Sequence, residues 1–154
     1  MTRVQTEVDV NAPVDRVFDY YTNPDNIKEA WPRDLVKESE ATTGTKNEPG
    51  SEMRVTGEQM GMRKEMRLQV AEKEANRRLV TRQVDGPFER WESIQEFQGD
   101  NNRTHVRHII DYELPRGGKV ADFLSGGQAD DKIKQALEQA AQTVKAKLEG
   151  SATR

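Results

Sequence analysis

A chain of 154 residues suits one domain, and a third of its residues are charged, with a net charge of −3. That acidic balance, with glutamates interleaved among the arginines, argues against a general nucleic-acid binder, which needs a basic stripe. The absence of cysteine excludes disulfides and thiolate chemistry, and two histidines leave too few ligands for an expected metal site. Hydrophobic residues make up only 33%, so the information lies in where they are placed. Residues 1–7 carry no apolar signal core. No apolar run approaches the ~20 residues that span a bilayer, so stable membrane insertion is not expected and the expected location is the cytoplasm.

Val4, Thr6, Val8 and Val10 alternate with polar residues, which predicts a strand. Asn11-Ala12-Pro13 opens a helix whose apolar stripe is Val14, Val17, Phe18 and Tyr21, with Pro13 expected in its first turn. Asn23-Pro24-Asp25 repeats the start signal, and this second, short helix ends near Trp31-Pro32. Strands are predicted over 36–41, 52–60, 62–74, 77–84, 88–97 and 104–114. The turns between them are marked by Asn47-Glu48-Pro49-Gly50, Gly61, Ala75-Asn76, Asp85-Gly86-Pro87 and Gly99-Asp100-Asn101-Asn102. Helical sequence resumes at Val120, Phe123 and Leu124, loosens at Gly126-Gly127, and continues as a long helix with Ile133, Leu137, Ala140, Val144 and Leu148 at helical spacing. Gly150 is the expected stop, with a single domain over 1–150 and a frayed tail over 151–154.

The order strand, two short helices, about six antiparallel strands and one long helix resembles the START/Bet v 1-like (helix-grip) superfamily. Val8-Asp9-Val10-Asn11-Ala12-Pro13 running into Val17-Phe18 looks like the opening of that family, and Asn23-Pro24 followed by Trp31-Pro32 like its next landmark. Trp91 with Phe97, Arg103-Thr104-His105-Val106 and Tyr112-Glu113-Leu114-Pro115 resemble the last hairpin of the polyketide cyclase/dehydrase and coenzyme Q-binding branch. The resemblance implies an α+β fold. A curved antiparallel sheet of about seven strands wraps a long C-terminal helix, with a cavity between them for lipids, polyketides, quinones or similar molecules. Some members catalyse cyclisation or dehydration and others act through protein partners, so fold alone does not decide function.

Strand parity assigns the faces. Val106, His108, Ile110, Tyr112 and Leu114 share one face of the last strand, Trp91, Ser93, Gln95 and Phe97 one face of the strand before it, and Met62, Lys64, Met66, Leu68 and Val70 one face of an earlier strand. The opposite faces read as a solvated ladder of Arg and Glu. The inner face mixes apolar Met53, Val55, Met66, Leu68 and Ile110 with polar Thr81, Gln83, Ser93, Gln95, His108 and Tyr112. A filled core seldom holds so many polar groups, because each needs a partner when buried. With Trp91 and with Leu137, Ala140, Ala141 and Val144 of the facing helix, these are the expected ligand-binding residues. Small alanines on one wall and polar side chains on the other point to a hollow interior, and the competing reading is a filled core with a few satisfied polar groups.

His108 is the sharpest candidate, able to bond a ligand carbonyl or to act as general acid or base near neutral pH, with Tyr112 two residues on to share the hydrogen bond. The competing reading is a histidine satisfied by Tyr112 or water with no chemistry. Trp31 is a candidate for the pocket mouth, and Gly126-Gly127 for a lid. Gly117-Gly118-Lys119 lacks the Ser/Thr and leading glycine of a phosphate loop. No cofactor is expected. The leading expectation is a binder or carrier of a small hydrophobic or amphipathic molecule. The alternatives are a cyclase or dehydratase on an aromatic or polyketide-like substrate, with His108 and Tyr112 catalytic, and a protein-interaction module. Oligomeric state is not legible.

Overall fold

Seven antiparallel strands form one sheet in the order β1-β7-β6-β5-β4-β3-β2, and a 24-residue helix packs against it. This computed structural model describes residues 2–33, 35–42, 48–59, 62–114 and 129–152. The strands are β1 (Thr2–Val10), β2 (Glu38–Ala41), β3 (Glu52–Gln59), β4 (Met62–Glu74), β5 (Arg78–Asp85), β6 (Arg90–Gly99) and β7 (Thr104–Glu113). The helices are α1 (Val14–Thr22), α2 (Pro24–Ala30) and α3 (Ala129–Ala152). This is the helix-grip α+β architecture. Among the described residues, no helix is long and apolar enough to cross a membrane.

Local chemistry explains the boundaries. Pro13 stands at the N-cap of α1 in extended conformation rather than inside the first turn. Asn23 caps α2 through its side-chain oxygen, which accepts from the Asp25 N–H at 3.0 Å, and Pro24 takes the first position, where no N–H is needed. Asn76 turns β4 into β5 at φ 63°, a left-handed conformation that asparagine tolerates. Asp100 closes the β6–β7 hairpin by accepting from the N–H groups of Asn102 and Arg103, and its carbonyl accepts from the Val14 N–H, which fixes where α1 begins. α3 runs through Gly150 to Ala152, so the glycine does not stop it. The predicted features at Asn47, Gly61, 117–119, Val120, Phe123, Leu124 and Gly126-Gly127 lie outside the described residues.

Register shifts in β4 at Arg67/Leu68 and Val70/Glu72 mark irregularities that bend a strand and increase its twist. The concave face receives the core. One cluster joins Val8, Val10, Val17, Phe18, Phe97, Val106, Val144 and Leu148, with Phe18 edge-on to Phe97 at 5.1 Å. A second joins Val4, Ile110, Tyr112, Ile133 and Leu137, and a third joins Met53, Leu68, Val70 and Leu79. α3 presents Ile133, Ala136, Leu137, Ala140, Ala141, Val144 and Leu148 inward, the spacing of one helical face. Its C-terminal part is tied down by Lys145, which donates to the Asp9 carbonyl, by Glu149, which accepts from the Asn11 N–H, and by the Lys147–Glu29 ion pair.

The convex face departs from a uniformly solvated ladder. Val80, Ile94 and Ile109 are register partners across β5, β6 and β7, and all three are buried. Arg82–Glu92, Arg78–Glu96 and Arg107–Glu96 pairs lie on the same face, and the stems of such side chains cover apolar surface while their heads stay in water. Asp111 is buried there too, held by a two-pronged pair with Arg3 at 2.7 and 2.9 Å.

Candidate functional site

The concave face, α1, α2 and α3 do not close on one another completely, and a cavity of about 180 Å³ remains between them. That is more than ten times the ~10–15 Å³ on this measure that one water needs. Its apolar wall comes from β3 and β4 (Met53, Val55, Met66, Leu68), with Ile27 of α2 and Leu35. Its polar wall comes from β5, β6 and β7. Thr81 pairs in register with Ser93, and Gln95 with His108, so these four side chains make one contiguous patch across three strands. α3 contributes Ile133, Ala140 and Val144.

His108 is buried at the centre of the polar wall. Its Nε2 and the Ser93 hydroxyl are hydrogen-bonded at 2.8 Å. The rings of Tyr21 and Trp31 meet it edge-on, with centroids 6.4 and 6.1 Å away. Burial disfavours the imidazolium and pushes the His108 pKa down to about 3, so the ring is neutral throughout the physiological range. Burial likewise pushes the Tyr21 phenol up, with the neighbouring Tyr20 adding to the effect. The charged residues among the described lining are Lys64 and Glu65, both on β4. Among the described residues no group of three His, Asp or Glu side chains is placed to hold a metal.

Twelve of the sixteen expected contact residues border this cavity: Met53, Val55, Met66, Leu68, Thr81, Trp91, Ser93, Gln95, His108, Ile110, Ala140 and Val144. Four do not. Tyr112 is the register partner of Trp91 and is packed behind Trp91 and Phe88 against Ile133 and Leu137. Ser93, not Tyr112, bonds Nε2 of His108. Leu137 is consumed in the same packing, and Ala141 lies against the Val8–Phe97 cluster. Gln83 serves the β5–β6 turn: its amide donates to the Phe88 carbonyl at 2.7 Å and accepts from the Phe88 N–H at 3.2 Å, holding Phe88 over the cavity edge.

Over residues 1–149 the sequence matches the family described as polyketide cyclase / dehydrase and lipid transport. The chain belongs to this family. Among curated proteins none matches it by sequence. Solved structures resemble the polyketide cyclase/dehydrase chain closely in shape. A START superfamily protein from Mycobacterium smegmatis superposes with a TM-score of 0.76 at 16% identity, covering 97% of this chain and 98% of that one. The Zhui aromatase/cyclase from Streptomyces sp. R1128 gives 0.72 at 19% identity, covering 99% and 94%. A protein from Thermus thermophilus gives 0.69 at 21% identity, covering 95% and 99%. At these identities the likeness concerns the fold, which is that of the START/Bet v 1-like superfamily.

Several lining residues of this polyketide cyclase/dehydrase family member fall outside the strand-parity reading. Tyr21 and Ile27 come from the short helices, Leu35, Pro87 and Phe88 from loops. Loops have no periodicity to read. Tyr21 lies on the predicted apolar stripe of α1, and a stripe does not say that a hydroxyl at its edge ends in a cavity.

Proposed function

We propose that the protein binds a small apolar or amphipathic molecule between its sheet and its long helix and carries it without converting it. The observation that supports this reading is a cavity with an apolar wall on β3–β4 and a polar wall on β5–β7, with the charged residues among the described lining confined to β4. Such a site matches the general character of small-molecule pockets, mostly apolar with a few placed polar groups. A second reading, cyclisation or dehydration of an aromatic or polyketide-like substrate, draws on the Ser93–His108 hydrogen bond inside the cavity and on the shape shared with the Zhui aromatase/cyclase. The depressed basicity of His108 favours the carrier, because an imidazole with a pKa of about 3 is a weak general base at neutral pH.

Native mass spectrometry of protein purified gently from its own source tests the proposal. A reproducible adduct mass that is lost on denaturation is the expected result. A bare mass, together with no uptake of apolar bicyclic probes by the purified protein, overturns it. His108→Ala separates the two readings once a ligand is known: the carrier retains binding and shows no turnover to lose.

A further inference from the structure

The Tyr21 hydroxyl, the Gln95 amide and the Thr81 hydroxyl are among the polar groups at the cavity that make no hydrogen bond to another described residue. Ser93 and the Nε2 of His108, between them, bond each other. Polar groups that face a cavity without a protein partner are free to bond what fills it. Tyr21 and Gln95 share neighbours. The Tyr21 ring packs edge-on against Phe97 at 5.6 Å and His108 at 6.4 Å. Gln95 precedes Phe97 by two residues on the same face of β6 and is the register partner of His108. A phenol that donates and an amide that both donates and accepts therefore border the same part of the cavity, beside Phe97 and His108.

We infer, building on the binding role proposed above, that the cavity takes an uncharged ligand whose hydroxyl or carbonyl oxygen is read by Tyr21 and Gln95, and that Tyr21 sets this preference. Among the described lining residues no charged side chain lies in that part of the cavity, and Lys147, which interacts with the neighbouring Tyr20, is paired with Glu29. The charged lining residues, Lys64 and Glu65, are on β4, two strands from Gln95 and so roughly 10 Å away at the usual strand spacing. The neutral imidazole of His108 supplies no counter-charge. A carboxylate placed beside Tyr21 would lose its water without gaining a cation, the situation that buried charges avoid. A neutral hydroxyl meets both an acceptor in the Gln95 carbonyl oxygen and a donor in the Tyr21 phenol.

The test is isothermal titration of the full chain at pH 7 with three probes of one shape: naphthalene, 2-naphthol and 2-naphthoate. Naphthalene reports the apolar cavity alone. 2-Naphthol should bind about three- to tenfold more tightly than naphthalene, the usual net value of a hydrogen bond expressed as affinity. 2-Naphthoate should bind at least about tenfold more weakly than 2-naphthol. Tyr21→Phe keeps the ring that packs on Phe97 and His108, and should erase the 2-naphthol advantage while leaving naphthalene binding unchanged. Equal affinity for naphthalene and 2-naphthol, a naphthoate that binds as well as the naphthol, or an advantage that survives Tyr21→Phe overturns the inference and leaves the apolar cavity standing. Failure of all three probes to bind overturns the inference as well, and together with a bare native mass it removes the cavity reading itself.

Discussion

His105 and His108 lie three residues apart on β7, on opposite faces of the sheet, and they couple stability to pH with opposite signs. On the convex face, His105 bonds Asp9 at 2.8 Å and Glu7 at 3.1 Å, and these hydrogen bonds raise its pKa. Its contribution is present below the unfolded value near ~6.5 and is lost as pH rises through the folded value. With the side chain 41% exposed, that contribution is screened and small. His108 is depressed by burial instead. Between its unfolded pKa and about 3 the unfolded chain binds a proton that the folded chain refuses, so stability falls as pH falls. The slope is about 1.4 kcal/mol per pH unit, or up to about 2 kcal/mol lost by pH 5. Urea unfolding at pH 7 and pH 5 should therefore show a loss in the wild-type chain that His108→Gln largely abolishes. An equal loss in both proteins would mean that the folded protein protonates His108. Parity along β7 was enough to put the two rings on opposite faces. It could not place Tyr112, because parity gives the face and not the depth: Trp91 and Phe88 stand between Tyr112 and the cavity.

The strands were legible because their alternation is strict and their turns carry Asn, Asp and Gly. The attachment of the small helices to the sheet was not, because it depends on single polar contacts between distant segments. Ser39, buried on β2, donates to the Pro24 carbonyl and accepts from the Lys28 N–H, and so fastens α2 to the sheet edge. The Lys37 N–H donates to the Thr56 carbonyl at 2.7 Å, drawing the segment after α2 onto β3. Gly57 sits at that crossing. A Cβ added there would fall on the carbonyl oxygen of Leu35, a backbone atom that cannot swing aside. Leu35 and Gly57 both border the cavity, so this contact sets the width of its apolar end. Gly57→Ala should cost about 1–3 kcal/mol, as overpacking commonly does, and should weaken naphthalene binding along with it. Thermal unfolding and titration of the same preparation check both effects. An unchanged melting temperature would mean that the segment around Leu35 moves freely away from β3.

At the scale of the whole molecule, the cavity reflects which residues α3 turns toward the sheet. Leu137 and Leu148 of α3 fill the interior with side chains, whereas on the cavity wall, between Ile133 and Val144, Ala140 offers only a methyl group. The sequence showed small residues on the inner helical face, and the order of elements showed a sheet wrapped on that helix. Neither measures how far the helix stands from Gln95 and His108, which follows from the β4 irregularities and from the anchoring of α3 through Lys145, Lys147 and Glu149. If the space is a binding site and not a packing defect, filling it should separate stability from binding. Ala140→Phe puts an aromatic ring where the ligand is proposed to lie. Apolar burial gained by the ring opposes an overpacking cost of about 1–3 kcal/mol, so the fold should survive with a melting temperature shifted by only several degrees. Uptake of naphthalene and 2-naphthol should fall more than about tenfold, as expected when the occupied volume is lost. Folded Ala140→Phe protein with wild-type affinity would put the ligand outside the space between sheet and helix, since no apolar bicyclic molecule can share that volume with the new ring.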